Sequence, residues 1–228
     1  MAGKDAPKKP DLWEQLYLRL EAEEEAGLDR LPRSSDREPP LLEHALASLE
    51  KKVRVCRACA LWEHRTHFVF GEGDPHARLM FVGEAPGFEE DRAGRPFVGR
   101  AGRLLDRMIK AMGFQRDEVF IANVLKCRPP DNRTPNAMEI EACKGYLEEQ
   151  IRIIAPRVIV AMGAPAARTL LSRDEGIGAL RGRAYPYGKD LAVQVVPTYH
   201  PAYLLRNEAE KPKVWKDLQL AMSLLDTK

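Results

Sequence analysis

The stretch LMFVGEAPG, residues 79–87, decides the fold: a short apolar run leads directly into a turn. A continuous apolar run bounded by turn residues is typical of a strand that is buried on both faces. Gly83 and Gly87 frame the turn around Pro86, so the backbone can approach a ligand closely there. The stretch therefore predicts a buried strand that carries a binding turn at its carboxyl end.

Three further apolar runs follow the same pattern along the chain. They lie at residues 119–124, 158–162 and 193–196. Stretches with the apolar spacing of an α-helix lie between or after them, at residues 104–112, 140–154 and 212–225. Strands that alternate with helices in this way form parallel sheets. We therefore predict an α/β fold whose central sheet is mostly parallel, has about four strands and carries helices on both faces.

The first 40 residues differ in composition from the rest of the chain. Apolar residues at helical spacing between 12 and 20 are followed by an acidic run, and Pro39-Pro40 ends a linker-like segment. Such an extension can be a solvated helix or an arm that docks a partner. We predict a helical and linker extension over residues 1–40 and one domain over residues 41–228.

Polar side chains occur where three of the predicted strands end. Glu84 lies in the turn after the first strand, Asn123 at the end of the second, and His200 just beyond the fourth. Ligands of parallel sheets bind beyond the carboxyl ends of the strands. Neither GxGxxG nor GxxxxGK[ST] is present, and a glutamate in the turn would repel phosphate. The three side chains therefore predict a site for a ligand other than a nucleotide cofactor.

The four cysteines have a spacing that suggests a metal site. Two residues separate Cys56 from Cys59, and fifteen residues separate Cys127 from Cys143. MAGKDAPKKP at the start has no apolar segment typical of a secretory signal, so we expect a cytoplasmic protein without structural disulfides. Four buried thiols, a redox pair, a zinc site and an iron–sulfur site all remain open at this point.

Three long motifs resemble those of the family 4 uracil-DNA glycosylases. They are GEAPGFEEDRAGRPFVGRAGRLLD at residues 83–106, NVLKCRPPDNRTP at 123–135 and HPAYLLR at 200–206. The resemblance covers about residues 41–225 and includes the spacing of the four cysteines. It implies a parallel sheet flanked by helices and a [4Fe-4S] cluster bound by Cys56, Cys59, Cys127 and Cys143.

The resemblance also assigns roles to single residues. The backbone of Gly83, Glu84 and Ala85 would line the uracil pocket, and Glu84 and His200 would be the catalytic residues. Phe97 would stack on the flipped base, Asn123 would read its edge, and His200 would face O2. Leu204, Leu205 and Arg206 would wedge into the DNA. The implied reaction is hydrolysis of the N-glycosidic bond of uracil, which leaves an abasic site.

The charge distribution agrees with a DNA partner. The chain has 36 Lys and Arg against 34 Asp and Glu, a net charge of only +2. The extension 1–40 carries 7 basic and 10 acidic residues, so residues 41–228 have a net charge of +5. Basic residues lie beside the motifs, at Arg92, Arg95, Arg100, Arg103, Arg107, Lys126, Arg128 and Arg133. We expect uracil-containing DNA, single- or double-stranded, as the partner, and binding that weakens with salt.

Two other functions are compatible with parts of this pattern. A non-catalytic nucleic-acid-binding module with an iron–sulfur or zinc site would need only the basic residues. An enzyme for free nucleosides would not need the loop HPAYLLR. Glu84, Asn123 and His200 together favour the glycosylase. We further expect a monomer with no membrane span, since no apolar run reaches about 18 residues.

Overall fold

The computed structural model describes residues 38–188 and 190–226. Almost all of the predicted extension 1–40 lies outside these residues. Helix α1 (Glu38–Arg54) begins inside the segment that we predicted as a linker. Pro39 and Pro40 lie in its first turn, where proline is tolerated because the N–H groups have no partner within the helix. A compact unit begins at Leu42.

The strands of the described residues form one six-stranded sheet. They are β1 (Glu72–Gly73), β2 (Leu79–Gly83), β3 (Phe120–Asn123), β4 (Val158–Met162), β5 (Tyr185–Tyr187) and β6 (Asp190–Thr198), in the order β1-β3-β2-β4-β6-β5. The four central strands are parallel, whereas β1 and β5 pair antiparallel at the two edges.

The prediction of about four mostly parallel strands is thus wrong in strand number, because the sheet is mixed and has six. The two edge strands have only 2 and 3 residues. Neither strand contains an apolar run. Pro186 in β5 has no N–H group to donate to a neighbouring strand, so proline is typical of edge strands and argues against a central one. The core strands were predictable because burial on both faces makes them apolar.

Helices cover both faces of the sheet. Beyond α1 they are α2 (Phe88–Ala93), α3 (Arg100–Ala111), α4 (Ala137–Ile154), α5 (Ala164–Leu171), α6 (Ile177–Leu180), α7 (Pro201–Leu204) and α8 (Lys211–Asp226). Alternate residues of β2 point to opposite faces, so Met80 packs in the core layer that includes α1, α4 and α5. Phe81 packs in the layer that includes α3 and α8.

The register of the sheet fixes where the motifs meet. Gly83 at the end of β2 pairs with Asn123 at the end of β3. The loop after β6 continues from the same edge of the parallel strands. The carboxyl ends of β2, β3 and β6 therefore bring the three motifs together. None of the described helices is long and apolar enough to cross a membrane.

Candidate active site

A cavity of about 540 Å³ opens at the carboxyl edge of the sheet. This volume is typical of a pocket for a small organic ligand. Six of the residues predicted for the site line it: Glu84, Ala85, Phe97, Asn123, His200 and Arg206. Three separate motifs of the sequence thus contribute to one pocket.

Gly83 lies against two side chains that line the pocket. A Cβ atom at this position would collide with Oδ1 of Asn123 and would lie 2.6 Å from Cζ of Phe97. Real Cβ atoms do not approach other atoms so closely. Gly83 is therefore required for the packing of two pocket residues, in addition to the backbone role that we predicted.

Asn123 lines the pocket and has a buried acceptor without a partner among the described residues. Its side chain is buried, with 2% of the residue exposed, and Oδ1 has no hydrogen-bond partner among the described residues. A buried polar atom without a partner costs roughly 1–3 kcal/mol. The backbone carbonyl of Asn123 accepts a hydrogen bond of 2.8 Å from Nζ of Lys126, which fixes the end of β3. This arrangement suits a ligand that donates a hydrogen bond to Oδ1.

Phe97 has a backbone conformation that is uncommon outside glycine. Its φ is +51°, in the left-handed region, and its side chain is buried. Such a conformation in a bulky residue stores strain of order 1–3 kcal/mol and points to a functional constraint. Gly102 permits it, because a Cβ there would collide with the carbonyl of Phe97. The ring lies 5.6 Å from the ring of His200, between centroids, and forms an apolar wall of the pocket.

His200 is held as a neutral ring with a defined tautomer. It precedes helix α7, and its Nδ1 accepts a hydrogen bond of 3.1 Å from the N–H of Ala202. Burial lowers the pKa of His200 to about 4, so the ring is uncharged at neutral pH. Because Nδ1 is an acceptor, the proton of the neutral ring lies on Nε2. His200 can therefore donate one hydrogen bond without carrying a charge.

Glu84 and Glu90 have different tasks in the pocket. Glu84 is half-buried, and this burial raises the pKa of its carboxyl group. Glu90 accepts hydrogen bonds from the N–H groups of Gly87, Val98 and Gly99 at 3.0–3.1 Å. It thereby joins the turn after β2 to the segment that carries Phe97. Sequence reasoning missed Glu90, although a glutamate at the third position of a helix is a known capping signal.

The loop after His200 differs from the prediction at one position. Leu204 is 1% exposed and packs in the core, so it cannot contact DNA in this conformation. The single turn of α7 points this side chain inward, and its expected role as a wedge stays a prediction. Leu205 is partly buried against the same core, whereas Arg206 lies on the pocket wall. Tyr203, which we did not predict, is 36% exposed and also lines the pocket.

The four cysteines line one small cavity, although they come from distant segments. Cys56 and Cys59 follow α1, Cys127 follows β3, and Cys143 lies on α4. Within the described residues, no three His, Cys, Asp or Glu side chains are grouped to hold a single metal ion. The four cysteines share this lining with Val53 and other largely apolar neighbours.

Hydrogen-bond donors surround the sulfur atoms of this cavity. Nη1 of Arg65 donates to Sγ of Cys127, and the N–H of Lys126 donates to Sγ of Cys143, both at 3.3 Å. The N–H of Ala58 donates to Sγ of Cys56 at 3.5 Å. Burial raises the pKa of Cys143 to about 11 and also raises that of Cys127. Buried thiols with raised pKa values become thiolates when they bind a metal ion or a metal cluster.

Lys126 is the basic residue whose environment differs most from the expectation. It is 1% exposed, and its Nζ donates to Oε1 of Gln150 at 2.6 Å as well as to the carbonyl of Asn123. Lys126 therefore cannot contribute to a DNA-binding surface. It connects the end of β3 to α4 instead.

Together, the fold and the pocket define an α/β protein that can hold one planar polar ring at the carboxyl edge of its sheet. Residues 70–219 match the uracil DNA glycosylase superfamily. The chain is 48% identical over 169 residues to a type-4 uracil-DNA glycosylase of Sulfurisphaera tokodaii, covering 72% of this chain and 77% of that protein. It is 44% identical to a type-4 uracil-DNA glycosylase of Thermotoga maritima, covering 80% of this chain and 96% of that protein.

A type-5 uracil-DNA glycosylase of Pyrobaculum aerophilum is less similar, at 33% identity over 70% of this chain and 76% of that protein. The chain therefore belongs to the uracil DNA glycosylase superfamily, and within it to the type-4 family. The resemblance inferred from the three motifs is confirmed.

Proposed function

We propose that this protein is a DNA repair enzyme that extrudes uracil from DNA and hydrolyses its N-glycosidic bond. The observation that carries the proposal is the pairing of two groups in one pocket. Oδ1 of Asn123 is a buried acceptor without a partner, and Nε2–H of His200 is a donor on a neutral ring. Uracil offers the complementary groups, an N3–H donor between two carbonyl acceptors.

Asn123 distinguishes uracil from cytosine. Its Oδ1 accepts the N3–H of uracil, while the Nδ2 group of the same amide donates to O4. Cytosine has an acceptor at N3 and a donor at N4, so both contacts would become repulsive. The close packing of Gly83 against Oδ1 of Asn123 restricts the position of the amide. A site built to pair a polar edge rejects an analogue that leaves its buried groups unpaired.

Negative charge develops on O2 and N1 of uracil as the glycosidic bond breaks. Nε2–H of His200 donates to O2, and a neutral donor holds the leaving uracil without a proton transfer. Backbone N–H groups of Glu84 and Ala85 are the further donors that we assign, because the N–H of Gly83 lies within the parallel ladder of β2 and β3. The N–H of Gly87 is excluded because it donates to Glu90, and Pro86 has none. One donor of this kind contributes about 3–4 kcal/mol to the transition state.

Glu84 acts on the sugar side of the breaking bond. As a carboxylate it stabilises the cationic sugar or orients the attacking water, and both roles need the ionised form. Because burial raises its pKa above 4.5, we expect kcat/KM to fall as the pH falls through that raised value. Glu84→Gln should remove this acid limb and slow the reaction about 100-fold. A pH–rate profile of both proteins checks this, and an unchanged limb in Glu84→Gln would contradict the assignment.

The four cysteines fit a [4Fe-4S] cluster. Four cysteines that line one cavity can each bind one of the four iron atoms of such a cluster. N–H groups that donate to the cysteine sulfur atoms are also typical of iron–sulfur sites. Cys56, Cys59, Cys127 and Cys143 would hold the cluster, which would tie α1 and α4 to the loop after β3. The cavity lined by the cysteines is separate from the pocket, so we assign the proposed cluster a structural role.

Cys143→Ala tests this assignment. We expect the purified wild-type protein to be brown and to contain iron and acid-labile sulfide. The variant should lose the visible absorption and at least nine-tenths of the iron, and its Tm should decrease, because one ligand of four is removed. Iron and sulfide assays with absorption spectra measure this. Zinc in place of iron in the wild-type protein would refute the cluster.

The DNA-binding surface is the rim of the pocket. Arg206 lies on the pocket wall, and Arg92 and Arg100 are exposed near the turn after β2. We propose that these residues, with Leu205, contact uracil-containing DNA and that the protein acts as a monomer. Extrusion of the base costs a few kcal/mol, least in single-stranded DNA.

A uracil-containing oligonucleotide tests the proposed function. We expect incubation with the protein, followed by alkali, to cleave the strand at the uracil position, because alkali breaks abasic sites. The same oligonucleotide with thymine is the control. No cleavage by protein that carries its cluster would refute the glycosylase activity.

A further inference from the structure

Phe88 is an aromatic side chain exposed beside the pocket. It is the first residue of α2, directly after Gly87 of the pocket wall, and 49% of it is exposed. It does not belong to the pocket lining itself. Phe88 therefore lies beside the pocket and outside the space that an extruded base would occupy.

Two guanidinium groups from different segments lie over this ring. Cζ of Arg92 is 5.6 Å and Cζ of Arg128 is 5.1 Å from the ring centroid. Arg128 is itself positioned by a hydrogen bond of 2.7 Å from its Nε to Oδ1 of Asn132. Asn132 lines the pocket, so Phe88 and Arg128 connect its two sides. A cationic rim around an exposed ring is thus built into the mouth of the pocket.

Such an arrangement matches the chemistry of an unpaired nucleotide. Aromatic side chains bind the faces of unpaired bases, and arginine residues bind the phosphates between them. Bases in a duplex are already stacked and paired, so their faces are not available. The ring of Phe88 offers no hydrogen bond, and it therefore accepts any base without reading its identity.

We propose that Phe88, with Arg92 and Arg128, forms a stacking platform for the unpaired nucleotide next to the extruded uracil. The base takes a ring face that a guanidinium group now covers, and the guanidinium groups bind the flanking phosphates instead. The platform binds single-stranded DNA more tightly than duplex DNA and sets the strand preference of the enzyme. This inference rests on the proposed function, since it places the nucleotide relative to a uracil in the pocket.

Flanking bases provide the sharpest test. The substrates are two single-stranded oligonucleotides with one uracil, flanked either by normal nucleotides or by abasic tetrahydrofuran spacers. For the wild-type protein we expect KM to be about tenfold higher with the spacers, because one stacked base is lost. In Phe88→Ala the two oligonucleotides should have the same KM, equal to the higher value that the wild-type protein shows with the spacers. The kcat should stay within twofold of the wild-type value. Equal KM values for both in the wild-type protein would overturn the platform.

Substitutions at the same position separate stacking from apolar contact. Phe88→Trp should restore the flanking-base effect, and its fluorescence should be quenched by single-stranded DNA, whereas Phe88→Leu should behave like Phe88→Ala. Trp215→Ala removes another partly exposed aromatic residue, on α8, and should leave KM unchanged. The proposal would be overturned if Phe88→Leu restored the flanking-base effect, or if Trp215→Ala raised KM tenfold.

The binding measurement does not depend on the glycosylase reaction. Fluorescence anisotropy with a uracil-free single strand should give a Kd about tenfold higher for Phe88→Ala than for the wild-type protein, and a smaller change with duplex DNA. If the wild-type protein released no uracil but showed this difference, the proposed function would fail and the platform would stand. An equal Kd for both proteins on the single strand would overturn the platform.

Discussion

Asn123→Asp should slow uracil excision by about three orders of magnitude, roughly 4 kcal/mol. The carboxylate has no N–H group for O4 of uracil, so an oxygen atom faces another oxygen atom. The position is buried with 2% exposed, and water cannot relieve the mismatch. A negative charge there would also oppose the charge that develops on the leaving uracil. Single-turnover rates on a uracil-containing single strand measure the effect.

The matched control for this change is Asn136→Asp. Asn136 caps α4, and its Oδ1 accepts a hydrogen bond of 2.9 Å from the N–H of Glu139. Aspartate caps helices as well as asparagine does, so this variant should keep the wild-type rate. A rate for Asn123→Asp within threefold of the wild type would remove Asn123 from base reading.

The second large effect is expected at His200. Removal of the Nε2–H donor in His200→Ala should lower the single-turnover rate about 100- to 1000-fold, as for the loss of one donor to a developing anion. The Kd for DNA that contains a tetrahydrofuran abasic site should change little, because this donor acts on the leaving uracil.

His200 also caps α7 through Nδ1, and His200→Asn separates the two tasks. Asparagine is a good helix cap and can accept the N–H of Ala202 in place of Nδ1. We expect His200→Asn to recover the Tm of the wild-type protein but not its rate. If the rate recovered together with the Tm, or if DNA binding fell as much as the rate, the role as donor would be refuted.

The pKa of His200 adds a constraint on the pH profile. Because the pKa lies at about 4, the ring does not titrate between pH 5 and 8. We assign the acid limb expected in the wild-type protein to Glu84, and this assignment predicts that the limb persists in the residual activity of His200→Asn.

The parts of the site that sequence predicted are those that the sheet itself positions. Asn123 and His200 follow apolar runs, and the parallel arrangement of β2, β3 and β6 brings the ends of such runs together. The packing of Asn123 against Gly83 was not predictable, because it depends on the register of β2 and β3.

Other features leave no signal of this kind in the sequence. The helix around Leu204 has only four residues, so no periodicity showed which side chain points inward. The left-handed φ of Phe97 is accommodated by a close contact with Gly102, which no local pattern indicates. The cysteine cavity depends on three segments that meet only in the folded protein. Local patterns thus identify the elements, whereas the contacts between them decide which side chain faces the ligand.

The central claim is that the pocket excises a base by recognising the edge of uracil. The most direct measurement compares the single-turnover excision of uracil and of cytosine from otherwise identical single-stranded oligonucleotides, detected after alkali. We expect wild-type protein to release uracil at least 10⁴-fold faster than cytosine, because cytosine leaves both groups of Asn123 unpaired. Excision of both bases at similar rates, or of neither by protein that carries its cluster, would contradict this claim.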